Sequence, residues 1–155
     1  MDDFRAEAET CLRAGGHRLT SARRQVIAVL GGADRALSAY AIRERLAESV
    51  APPDVVTVYR ILELLETLDL AHRVHSLGGY VACNRVRQGG CHHPVICDGC
   101  GRIDEVEGDD VGPVERRLDA RGWRITGHVI EFRGLCPACT ALKAASGTGA
   151  AAARG

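Results

Sequence analysis

From Phe4 to Asp69 apolar residues recur at the three-to-four-residue spacing of helices that bury one face. The pattern predicts a first helix over Phe4 to Ala14, of mixed polarity. Thr20 or Ser21 can cap a second, whose apolar side is Val26, Ile27, Val29 and Leu30 and which Gly31-Gly32 stops. Ser38 caps a third over Ala39 to Ala47, with Ile42 and Leu46 inward. Pro52-Pro53 breaks the chain, and Asp54 then caps a fourth helix to about Asp69. Its stripe is Val58, Ile61, Leu62, Leu65 and Leu68; Thr57, Tyr59, Arg60, Glu63 and Glu66 lie off it.

The period then shortens. His72 to Ser76 and Tyr80 to Cys83, joined through Leu77-Gly78-Gly79, read as a hairpin. Three helices followed by a hairpin outline a winged helix-turn-helix, although a fold alone does not establish DNA binding. Asn84 to Gly90 reads as a hinge. Beyond it, Pro94 to Cys97 and Arg102 to Val106 read as strands, Val111 to Arg121 as a helix and Trp123 to Arg133 as a long strand. The expected class is α+β, with a winged-helix domain over residues 1–84 and a small second α/β domain over 85–143. The Ala/Gly-rich end, 144–155, is expected to be a disordered tail.

Composition narrows the function classes. A chain of 155 residues makes one ordinary domain or two small ones. No apolar run is long enough for a membrane span, and the start, Met1-Asp2-Asp3, has neither the basic nor the apolar region of a secretory signal. A cytoplasmic protein with no membrane partner is expected. The net charge of zero argues mildly against nucleic-acid binding, but local clusters decide the field. Seven cysteines in such a chain point to metal rather than disulfides.

Cys97-Asp98-Gly99-Cys100 and Cys136-Pro137-Ala138-Cys139 carry the strongest chemical signal. Each knuckle offers two thiolates to one tetrahedral ion, and together they complete a closed four-sulfur zinc shell of structural type. A redox Cys-x-x-Cys would leave the second pair unexplained. Further ligand-type residues remain: His72, His75, Cys83, Cys91, His92, His93, Glu105 and His128. His72 and Cys83 lie on the two hairpin strands, and with an even-length turn their numbers place them on one side as opposite or diagonal neighbours, roughly 5 to 7 Å apart at Cβ. An ion held by His72, Cys83, His92 and Glu105 would tie the two halves together across the hinge, as a sensor requires. The plainer alternative is a buried Cys83, with His72 and Glu105 as surface residues. A zinc nucleobase deaminase is disfavoured, because no histidine has Glu two positions on and Cys97 follows Ile96 rather than proline. A protein-binding zinc-ribbon adaptor would not need the exposed Thr57 to Arg60 motif.

Taken together these residues resemble the ferric uptake regulator family. Val56-Thr57-Val58-Tyr59-Arg60 after a proline-bearing loop is similar to its recognition-helix motif. Cys97 to Gly101, and Gly134 to Cys139 with His128 eight residues before Cys136, look like its dimerisation domain. His72 to Ser76 with Tyr80 to Cys83 is similar to the zinc uptake regulators of that family. The resemblance implies a homodimeric repressor of zinc uptake genes acting on double-stranded DNA with an inverted-repeat operator. It implies two Zn2+ per subunit: a structural one on Cys97, Cys100, Cys136 and Cys139, and a regulatory one on His72, Cys83, His92 and Glu105. Base contacts fall on Tyr40, Tyr59 and Arg60, with Thr57 beside them. The histidine run before the first knuckle is short here, Cys91-His92-His93-Pro94, so Cys91 and His93 stand as rivals to His92. The alternative is a sensor of iron, manganese or peroxide in the same family, against which the Cys83 thiolate argues.

Overall fold

The computed structural model describes residues 2–83, 92–107 and 111–147. The chain divides into two compact units, residues 1–89 and 90–155. The expected hinge, and the boundary after residue 84, fall in a stretch outside the described residues.

The first unit is built from α1 (Asp2–Ala14), α2 (Ser21–Gly31), α3 (Ala39–Arg45), α4 (Val55–Thr67), β1 (Ala71–Val74) and β2 (Gly79–Ala82), with one 3-10 turn (His75–Leu77) between the strands. The three expected caps are all present. Thr20, Ser38 and Asp54 accept hydrogen bonds from the backbone N–H groups of Arg23, Ala41 and Thr57, donors that no helical carbonyl reaches. α3 ends at Arg45, two residues before the expected Ala47, with Leu46 as its cap. α4 closes by a Schellman pattern: Leu70 N–H donates to the Leu65 carbonyl and Asp69 N–H to that of Glu66. Asp69 takes the left-handed conformation (φ 53°) that usually falls to glycine or asparagine.

The apolar stripes meet in one core, where Leu12, Ile27, Leu30, Ile42, Leu62 and Leu65 are fully buried. The hairpin packs on it through Ala71 and Tyr80, and a bridge from Leu37 to Tyr80 ties β2 to the loop between α2 and α3. That approach requires Gly79: a Cβ there would stand 3.1 Å from both Ala36 Cβ and the Leu37 backbone. Helices α2 to α4 followed by this hairpin form the winged helix-turn-helix that the pattern predicts.

The second unit contains β3 (His92–Cys97), β4 (Ile103–Glu107), α5 (Gly112–Asp119), β5 (Phe132–Gly134) and α6 (Pro137–Gly147). The sheet order is β4-β3-β5, with β3 antiparallel to β4 and parallel to β5. Two expectations are corrected here. The strand expected over Trp123 to Arg133 is reduced to β5, which starts only at Phe132. A strand exists through its ladder, and among the described residues 123–131 join no β-ladder. Ala144 to Gly147, expected to begin a disordered tail, instead complete α6. Alanine is the best helix former, and the second knuckle anchors the helix at its start. Among the described residues no helix is long and apolar enough to cross a membrane.

Candidate metal centre and nucleic-acid interface

The four knuckle cysteines converge. Cys97 ends β3, Cys100 closes the turn that follows, Cys136 immediately precedes α6 and Cys139 lies in its first turn. Their sulfurs all lie within 4.8 Å of one another, and Cys100 and Cys136 are 3.8 Å apart. Tetrahedral zinc with bonds of about 2.3 Å needs sulfurs about 3.8 Å apart, so the donor set and its spacing fit the ion.

Backbone groups organise the sulfurs. Cys136 N–H donates to Cys97 Sγ at 3.2 Å and Cys139 N–H to Cys136 Sγ at 3.5 Å. Hydrogen bonds from the Cys136, Cys100 and Gly99 backbone pull the Cys97 thiol down to about 6. The Cys139 thiol shares its proton with the Cys136, Cys97 and Cys100 sulfurs and is pushed up to about 12. A cluster that holds a thiolate at one end and an unwilling thiol at the other is one that a divalent cation would relax, by replacing the shared protons.

Three residues that carry no ligand atom shape this centre, and spacing alone did not single them out. A Cβ on Gly99 would stand 2.9 Å from Cys139 Sγ and 3.0 Å from Cys139 Cβ, so only glycine lets the second knuckle lie against the first. Arg133 of β5 donates through Nε and Nη2 to Asp98 Oδ1, at 3.0 and 2.6 Å. Asp98 N–H donates to the Gly134 carbonyl at 2.7 Å. The sequence signal for these was weak: a glycine inside a knuckle, and opposite charges near each.

In the first unit the hairpin brings His72 and Cys83 together. His72 pairs with Val81, and Cys83 N–H continues the ladder to the Leu70 carbonyl, so Cys83 is the diagonal neighbour of His72 on one face. A ring nitrogen of His72 and the Cys83 sulfur lie within 4.8 Å of each other. Cys83 is buried and His72 half-buried. His75 falls in the exposed turn, away from this pair along the strand. Cys11 is half-buried against the helical core.

In the second unit Glu105 lies on β4 opposite Pro94, and His92 begins β3 opposite Glu107, one pleat repeat along the same ladder. His93 is buried, with its ring edge-on to those of His128 and Phe132 at 6.3 Å each. His128 Nδ1 is 3.2 Å from Glu115 Oε1. Cys91 lies outside the described residues.

The exposed faces of α3 and α4 carry the four expected DNA-facing residues. Tyr40 is 67% exposed and Tyr59 38%, and their rings meet edge-to-face with centroids 6.3 Å apart. Arg60 is exposed beside them and Thr57 half-buried at the start of α4. Because Asp54 fixes that start, it also fixes which side chains the first two turns present.

Residues 14–133 match the ferric uptake regulator family. The zinc uptake regulation protein of Escherichia coli (strain K12) is 33% identical over 141 residues, which take in 90% of this chain and 82% of that protein. The ferric uptake regulation protein of Bacillus subtilis (strain 168) is 30% identical over 133 residues, with 83% and 89% covered. A solved zinc uptake regulator complexed with zinc and DNA is similar at a TM-score of 0.82 and 32% identity, covering 92% of this chain and 97% of that one.

Proposed function

Because the chain belongs to the ferric uptake regulator family, we propose that it is a homodimeric, zinc-responsive repressor that binds DNA and controls zinc uptake genes. The observation that carries the zinc assignment is the buried Cys83 sulfur beside His72. Overall identity separates zinc from iron regulators poorly, since relatives of both kinds match at 33% and 30%. Ligand chemistry separates them better: a thiolate with imidazole favours zinc over Fe(II) or Mn(II). The relative solved with zinc and DNA supports the same reading.

In this account Cys97, Cys100, Cys136 and Cys139 hold one Zn2+ that stabilises the second unit. His72 and Cys83, with His92 and Glu105, hold a second. The packing of His93 against His128 and Phe132 supports His92 as the third ligand. Fewer thiolates make the second site the weaker one, so it exchanges while the first stays filled. Its ligands come from both sides of the segment 84–91, so occupancy biases the two units toward one arrangement. Tyr40, Thr57, Tyr59 and Arg60 then meet the major groove, with Arg60 suited to a guanine edge. The protein binds rather than catalyses, and it acts in the cytoplasm where its DNA target lies.

The dimer rests on the second unit. Trp123 (62% exposed), Val129 (61%) and Phe132 (48%) lie in or beside a segment without a ladder partner among the described residues. A second copy would cover this apolar surface, and its two-fold symmetry implies an inverted-repeat operator.

The test is binding to a duplex selected by the protein from a randomised DNA library, titrated across buffered free zinc with Fe(II) and Mn(II) in parallel. Zinc should raise affinity by roughly 5- to 150-fold, the range of a typical allosteric coupling. An equal or larger response to Fe(II) would transfer the reading to an iron sensor.

A further inference from the structure

The outward face of α4 carries an apolar residue, Val56, beside the expected DNA-facing side chains. Successive residues of a helix are turned by about 100°. Taking Val56 as the origin, Arg60 lies about 40° to one side, Tyr59 about 60° to the other and Glu63 about 20° from it. Val56 therefore sits centrally on the face that carries Tyr59 and Arg60, one turn nearer the N-terminus. It is 55% exposed, while Val58, two residues on, is fully buried.

A single exposed valine is ordinary on a protein surface. This one differs in its place. It lies in the first turn of the helix, two residues after the Asp54 cap, and recognition helices read base edges with their N-terminal residues. Its neighbours on that face are polar or can hydrogen-bond, whereas Val56 offers only methyl groups. It cannot anchor to a phosphate. The apolar feature in the major groove is the C5-methyl of thymine.

We propose that Val56 is a specificity-determining residue that packs its methyl groups against the C5-methyl of one thymine in each half-site. This rests on the reading of the protein as a DNA-binding repressor. Arg60 and Tyr59 flank that contact, so the thymine lies next to the position read by Arg60.

The experiment uses the full-length, zinc-loaded protein and a duplex it selects from a randomised library. Each thymine is replaced in turn by uracil, which removes the methyl and leaves base pairing intact. Wild type should lose about fourfold in affinity at one thymine per half-site, the value of one buried methyl-sized group. Val56→Ser should bind the thymine and uracil duplexes equally at that position. Val56→Thr, which keeps the branch and one methyl, should retain part of the preference. Both variants should melt as wild type does, because the side chain is exposed. A thymine preference in Val56→Ser equal to that of wild type would overturn the proposal and give the methyl contact to another residue such as Tyr59. A wild type indifferent to uracil everywhere would overturn it too. Failure to select any duplex would instead remove the repressor reading along with it.

Discussion

At Gly99 the two cysteine knuckles approach so closely that a single added methyl has nowhere to go. Gly99→Ala must push Cys139 or its helix away, and a tetrahedral shell tolerates little of that. We predict that this variant gives up its structural zinc at lower chelator concentration than wild type, read as zinc per chain after dialysis against a graded chelator series. Retention equal to wild type would show that the knuckles have slack. Asp98 and Arg133, both about half exposed, form an ion pair of the kind that contributes little by itself, so substituting either should matter less than Gly99→Ala. On the other unit, Arg60→Ala should weaken binding to the selected duplex by about 1 to 3 kcal/mol if the guanidinium reaches a base. Zinc content and melting temperature should not change, since Arg60 is exposed. Undiminished affinity would remove Arg60 from the interface.

Helix α4 shows how local chemistry sets an element's ends. The Thr57 backbone N–H hydrogen-bonds the Asp54 carboxylate and, with the Thr57 hydroxyl, holds its pKa below 3.8. A folded-state pKa below the unfolded value means that the carboxylate stabilises the fold above pH 3.8, and that the contribution is lost as pH falls through the lowered value. Asp54→Ala should therefore lower the thermal midpoint at pH 7, and the gap to wild type should close as the pH drops below about 4. A gap that stays constant with pH would mean that Asp54 does not act through its charge. Caps and stripes of this kind made the helical unit legible in advance: Thr20, Ser38, Asp54 and the buried positions of α4 all follow from short-range rules. Two elements of the second unit did not follow. Residues 123–131 have strand-like composition, but a strand also needs a partner, and none is supplied among the described residues of one chain. α6 was hidden because its alanines look like low complexity, although alanine is also the best helix former.

Across the whole molecule two zinc roles fall to two ligand sets. The four-cysteine set was legible because paired Cys-x-x-Cys spacing has few other uses, and the sulfurs do converge. His72 and Cys83 were legible from hairpin parity, and the register makes them diagonal neighbours. The choice among Cys91, His92 and His93 was not, because the three are consecutive and all of ligand type, so spacing does not separate them. The central claim is that filling the weaker site, and not the tight one, switches DNA binding on. The measurement that tests it most directly is duplex affinity plotted against zinc bound per chain, for wild type and Cys83→Ser side by side. Wild type should bind DNA weakly with one zinc per chain and gain roughly 5- to 150-fold as the second enters. Cys83→Ser should remain folded, stop at one zinc and stay weak at every free zinc concentration. A Cys83→Ser protein that gains affinity with zinc as wild type does would contradict the claim and leave Cys83 as a buried apolar residue.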